Sequence, residues 1–207
     1  MSILVKNTNF ISNTIKEIYI YDTALQMKVT LDTINVSNNN LGVYIHHVQG
    51  DNVLLNFLSS GFTFNTNGAL NAYLNGSESV NMELYDTLFT ENKGDDDTVG
   101  TAVYAILDSH NSAINITFCN FLSNTGGSSI VQFSVLQNDI QEHFEFINLF
   151  IYSSNFTSNR IGSALHLTYC VLKFYSSTLF QDNSAKTGGA IYVTESSQIT
   201  VDDESTV

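Results

Sequence analysis

Phe180-Gln181-Asp182-Asn183-Ser184-Ala185-Lys186-Thr187-Gly188-Gly189-Ala190-Ile191-Tyr192-Val193 sets an aromatic residue, an asparagine three positions on, a small polar turn, two glycines and an alternating apolar run in that order. The order recurs along the chain. Phe10/Asn13, Phe62/Asn65, Phe89/Asn92, Phe121/Asn124, Phe156/Asn159 and Phe180/Asn183 repeat the first pair, and Val36/Asn39 is a seventh copy with valine in the aromatic slot. Successive slots lie 26, 26, 27, 32, 35 and 24 residues apart. Periods of this length mark a stacked array, because one repeat cannot bury its own apolar face and relies on its neighbours.

A second motif follows each asparagine: Gly42-Val43-Tyr44-Ile45, Gly68-Ala69-Leu70, Gly100-Thr101-Ala102-Val103-Tyr104, Gly126-Gly127-Ser128-Ser129-Ile130, Gly162-Ser163-Ala164-Leu165 and Gly188-Gly189-Ala190-Ile191-Tyr192. Between the motifs the chain alternates, as in Val80-Asn81-Met82-Glu83-Leu84 and Val171-Leu172-Lys173-Phe174-Tyr175, which is the period of a strand. Each repeat therefore offers two or three short strands joined by corners. Long helical periodicity is absent, and Asn, Ser, Thr and Gly disfavour a helix. A β-sandwich also uses spaced short strands, but it does not require an asparagine and a glycine in phase at every turn.

The corner chemistry fits a stack. Asparagine tolerates the left-handed conformation of a sharp corner, and Asn13, Asn39, Asn65, Asn92, Asn124, Asn159 and Asn183 are expected to form an internal amide ladder. Glycine is expected to supply the next corner, with small residues beside it letting neighbouring chains approach. The Phe slots are expected to stack inside, and Phe180→Ala to cost roughly 3–5 kcal/mol if that slot is fully buried.

The paired motifs resemble the Phe-x-x-Asn and Gly-Gly-Ala-Ile/Leu/Val repeats of the chlamydial polymorphic outer-membrane proteins and, more loosely, the right-handed parallel β-helix (pectin-lyase-like) superfamily. The second motif is intact only at Gly188 to Ile191. The resemblance implies an all-β, right-handed parallel β-helix of about seven to eight coils. It also implies a secreted or cell-surface passenger in adhesion, although the C-terminal membrane barrel of that family has no counterpart here.

Composition sets the outer bounds. The chain has 207 residues, 43% hydrophobic and 12% aromatic, which fits one globular core over 1–207. Seven basic against twenty acidic residues give a net charge of −13, which opposes nucleic acid and anionic membrane as partners. Cys119 and Cys170 fall in different phases of the repeat and read as buried free thiols rather than a disulfide. The opening Met1-Ser2-Ile3-Leu4-Val5 shows no basic and apolar leader pattern, and Gln198–Val201 is a strand whose aromatic slot never arrives. The expectation is a fragment of a longer solenoid without terminal caps, or a truncated reading frame, continuing into further coils of its parent chain.

Chemistry is sought where the copies depart from the pattern. Lys93–Val99 lengthens one corner, and its carboxylates Asp95, Asp96 and Asp97 lack the alternating spacing of a calcium loop. They read as a solvated acidic loop, with calcium binding the alternative. Leu136–His143 is a second insertion, expected to protrude. Glycosidases need paired carboxylates and lyases a base beside metal-binding carboxylates, whereas Arg160 is the only arginine, Glu83 and Asp86 stand alone, and Asp202-Asp203-Glu204 lies at the chain end. The five histidines make no metal constellation, and in His46-His47 one ring is expected to face in and the other out. Sequons occur at Asn35, Asn75, Asn115 and Asn155, a number that this composition produces by chance. No catalytic, cofactor-binding or metal-ligating residue is assigned. The expected function is a non-enzymatic structural or adhesion-type module, extracellular or on the cell surface, with a surface glycan or protein as partner and no membrane insertion by this segment. The alternatives are a carbohydrate-active β-helix fragment without a recognisable active site and a calcium-dependent scaffold.

Overall fold

A computed structural model describes residues 1–13, 16–94, 100–135 and 146–201. These residues form strands and corners without a helix, so no helix among them is long and apolar enough to cross a membrane. Every strand pair is parallel. Parallel neighbours cannot be joined by a tight hairpin, so the chain travels away and returns once per repeat. The result is an all-β architecture of parallel strands in a curled sheet, consistent with a β-helix.

The short strands Asn9–Ile11, Asn35–Ser37, Gly61–Thr63, Leu88–Thr90, Asn120–Leu122, Asn155–Thr157 and Leu179–Gln181 form one seven-stranded sheet. Its register puts Phe10, Val36, Phe62, Phe89, Phe121, Phe156 and Phe180 in one file, as the spacing predicts. From Phe62 to Phe180 the rings stack at 4.6–5.0 Å with interplanar angles of 4–10°. Phe62, Phe89, Phe121 and Phe156 are fully buried, but Phe180 is only half-buried. The full cavity penalty expected of Phe180→Ala therefore belongs to the middle slots.

The asparagines form the amide ladder. The Asn124 Oδ1 atom accepts from the Asn92 N–H at 3.0 Å and from its Nδ2 at 3.0 Å. The Asn124 Nδ2 group in turn donates to the Phe89 carbonyl at 2.9 Å and to Asn159 Oδ1 at 3.1 Å. Asn92 and Asn159 repeat this pattern. A buried amide offers two acceptor and two donor sites, and here all four are used.

The left-handed corner residue is the one before each asparagine. Ser12, Asn38, Phe64, Glu91, Ser123, Ser158 and Asp182 have φ of 52–59°, whereas no ladder asparagine has positive φ. Turning one residue early points that side chain outward and delivers the next one, the amide, into the interior. Phe64 accepts this conformation despite its bulk and keeps its N–H bonded to the Thr90 carbonyl at 3.1 Å.

Of the remaining strands, Arg160–Ile161 pairs with Ser184–Ala185 in a sheet of two, and twelve form a larger sheet. Three of them, Leu41–Leu58, Leu70–Tyr85 and Val103–Thr117, run through what were expected to be two short strands. The glycines do not share one register. Val43, Leu70, Val103, Val131, Leu165 and Ile191 face one another, and the nearest glycine lies one residue before Val43, two before Leu70 and three before Val103. Two constraints act: Gly126 has φ +97°, while a Cβ at Gly42 would collide with the Ala69 carbonyl.

Candidate functional site

The strands that follow the glycines alternate inward aliphatic with outward side chains. Along their outer face the register builds two parallel files. One contains Tyr19, Tyr44, Asn71, Tyr104, Gln132, His166 and Tyr192, and the other Tyr21, His46, Tyr73, Ile106, Ser134, Thr168 and Thr194. Eight of these fourteen positions are tyrosine or histidine, and none is Asp, Glu, Lys or Arg. On a chain of net charge −13 this face is set apart by what it lacks.

Cross-strand aromatic contacts order the face. Tyr19 and Tyr44 stack at 5.3 Å and 8°, Tyr44 and Tyr73 tilt to 37° at 5.4 Å, and Tyr73 and Tyr104 meet at 83° and 5.5 Å. His46 lies edge-on to Tyr21 at 5.3 Å and contacts Tyr44 and Tyr73 at 6.4 and 6.3 Å. Where the stack fans, a depression of about 210 Å³ opens, lined by His46, Tyr73, Leu74, Asn75 and Ile106. Exposure is 54% at Tyr19 and Tyr21, drops to 8% at Tyr104 and 7% at Gln132 in the first file, and is partial along the rest of both files.

Burial pushes the Tyr44 and Tyr73 phenols up, with neighbouring tyrosines adding to the effect, and takes Tyr104 to about 12. Burial also lowers His166. These phenols stay protonated at neutral pH, so they serve as hydrogen-bonding groups with apolar rings and not as bases. No protein-family profile, curated protein or solved structure matches this chain. The site is therefore argued from its own geometry.

The neighbouring face, formed by the second strand of each repeat, has aromatic residues of a different kind. Tyr152 and Tyr175 stack at 4.8 Å and 10°, and Lys173 lies 5.8 Å from the Phe150 centroid. Lys28, Glu83 and Lys173 interrupt this face with charge. Its tight parallel pair is the ordinary cross-strand packing of a sheet surface.

Among the other residues singled out by sequence, His46 is partly exposed and His47 is fully buried, one out and one in. His47 Nδ1 lies 3.8 Å from Asp22 Oδ2, and neither imidazole nitrogen has a hydrogen-bond partner. Cys119 and Cys170 are buried free thiols, pushed up to about 12 by burial. Cys119 takes a position that Ser60, Thr87 and Ser154 fill in other repeats, donating weakly to the Leu84 carbonyl. The sequons Asn35, Asn75, Asn115 and Asn155 are half-buried outside the ladder, and Asn75 lines the depression. Asp86 accepts from Ser59 Oγ at 3.3 Å. The described residues contain no group of three or more His, Cys, Asp or Glu placed to hold a metal ion. Asp95, Asp96, Asp97, the 136–143 insertion and the Asp202-Asp203-Glu204 cluster lie outside the described residues.

Sequence reading missed the tyrosine face, although Tyr44, Tyr104 and Tyr192 stood in the quoted motifs. Each occupies the position after the shared apolar file at Val43, Val103 and Ile191. Alignment on glycine slips this phase by two residues, because Tyr44 is two beyond its glycine and Tyr104 four.

Proposed function

We propose that the chain is a non-enzymatic binding module, extracellular or at the cell surface. In this reading it is a right-handed parallel β-helix of about seven to eight coils that holds its ligand along the tyrosine face. The observation that carries the reading is the pair of uncharged aromatic files on a strongly acidic chain. Contiguous exposed apolar surface is a mark of an interaction site. The likeness of the Phe-x-x-Asn and Gly-Gly-Ala-Ile copies to the chlamydial repeats supports a display role, and the partner classes are a surface glycan or a protein ligand.

The test is adhesion of beads coated with the chain to glycan- and protein-coated surfaces. Replacing Tyr19, Tyr21 and Tyr44 together with alanine should abolish retention, while Tyr152→Ala with Tyr175→Ala on the other face should preserve it. Equal retention by both variants would sink the assignment of the face. Release of sugar fragments from any bound glycan would instead make the chain an enzyme. Antibody labelling of intact source cells tests the surface location.

A further inference from the structure

We infer that the ligand of the tyrosine face is a neutral, unbranched polysaccharide lying across the strands, with one sugar ring in the depression beside His46 and Tyr73. The inference rests on reading the face as a binding surface and adds the chemical class of what it binds.

Shape argues first. The second file crosses seven parallel strands at about 4.8 Å each, giving a length of about 30 Å, and the first runs about 7 Å beside it, closed only at Tyr104 and Gln132, where the side chains are buried. That outline is a narrow strip, well below the roughly 800 Å² that each partner contributes to a standard protein interface. It suits an extended chain. The depression of about 210 Å³ is below the roughly 300–1,000 Å³ range of drug-sized pockets, so it holds a single small ring.

Charge argues second. The strip offers no cation to pair with a uronate, sulfate or phosphate, and the excess of thirteen negative charges on the chain repels such groups at long range. Phenols, which are protonated at neutral pH, the Asn75 amide and the His46 imidazole can each exchange hydrogen bonds with hydroxyls. Aromatic faces carry negative quadrupole potential and attract polarised C–H bonds, which a pyranose presents on one face. Hydroxyls at the rim and C–H groups on the face are the two needs of a neutral sugar, and the strip meets both.

The experiment is calorimetric titration of the chain, produced without glycosylation so that Asn75 is bare, with β-1,4-glucan and mannan hexasaccharides, with oligogalacturonate, and with a protein surface ligand retained in the bead assay. Neutral hexasaccharides should bind and their shorter homologues more weakly, and oligogalacturonate should not bind. Tyr73→Ala and His46→Ala should each weaken the neutral sugar about tenfold at unchanged circular dichroism, and Tyr73→Phe, which keeps the ring, should hold within about threefold. Tyr152→Ala should have no effect. Preference for oligogalacturonate, or neutral binding indifferent to Tyr73→Ala, overturns the inference. If strip-dependent binding goes to protein alone, the ligand class falls and the binding face stands; if nothing binds through the strip, both fall.

Discussion

Two aromatic stacks run along this molecule, and they are ordered differently. The interior file from Phe62 to Phe180 keeps every ring within 10° of its neighbour. The exterior contacts start at 8° between Tyr19 and Tyr44 within one file and reach 83° where Tyr73 of the second file meets Tyr104 of the first. Both stacks stand on parallel ladders, but the interior contacts join ladder partners, whereas those of Tyr73 with Tyr44 and with Tyr104 cross diagonally between the files. Inside, the close-packed core and the ladder beside it leave a ring one position. Outside, one side is open to water, the tilt is free to change along the file, and the fanned end opens a depression. Uniform stacking marks the architecture, and departure from it marks the surface on which function is sought.

The comparison breaks most sharply at the ladder. Asn124→Ala should destabilise by about 5 kcal/mol, because four buried partners lose a bond and each unsatisfied group costs about 1–3 kcal/mol; denaturant unfolding measures it, and a loss under 1 kcal/mol would mean that the ladder is dispensable. Next comes the ring file. Phe89→Ala should lose roughly 3–5 kcal/mol and Phe180→Ala less than half of that, in proportion to their burial; equal losses would deny that the interior stack is graded.

His47 interrupts an inward file that continues with Leu74 and Leu107. Burial lowers its pKa, opposed by nearby Asp22. The unfolded chain therefore takes up the proton first, so stability present above about pH 6.5 is lost as the pH falls below it. His47→Leu should flatten this dependence and raise stability at pH 5 by roughly 1–3 kcal/mol, read from melting curves across pH. The smallest effect belongs to the outer file: Tyr73→Ala should cost under about 1 kcal/mol of stability. A loss as large as that of Phe89→Ala would make the tyrosines structural and remove the reason to read them as a binding face.

The Phe and Asn files were legible because the spacing between Phe89 and Asn92, or Phe156 and Asn159, never varies. Both residues act through one local geometry. The conformation at the corner was not legible: the need for a left-handed residue was clear, but only the backbone shows that Glu91 and Ser123 meet it in place of Asn92 and Asn124. Glycine misled for a related reason. Gly126 is present for its φ and Gly42 for a close approach, so their alignment is no guide to register. The tyrosine face stayed hidden because its file includes Asn71 and Gln132, and only strand pairing assigns these to the same line as Tyr44 and Tyr104.

The amide ladder has one more property. Asn124 and Asn159 are separated by 35 residues, Asn159 and Asn183 by 24, yet both steps close with a backbone-to-amide bond of 3.1 Å. The ladder gauges position and ignores contour length. Segments of foreign sequence spliced between rungs, away from the rungs themselves, should leave the gauge intact, which makes this chain a frame for displaying peptides at a fixed pitch.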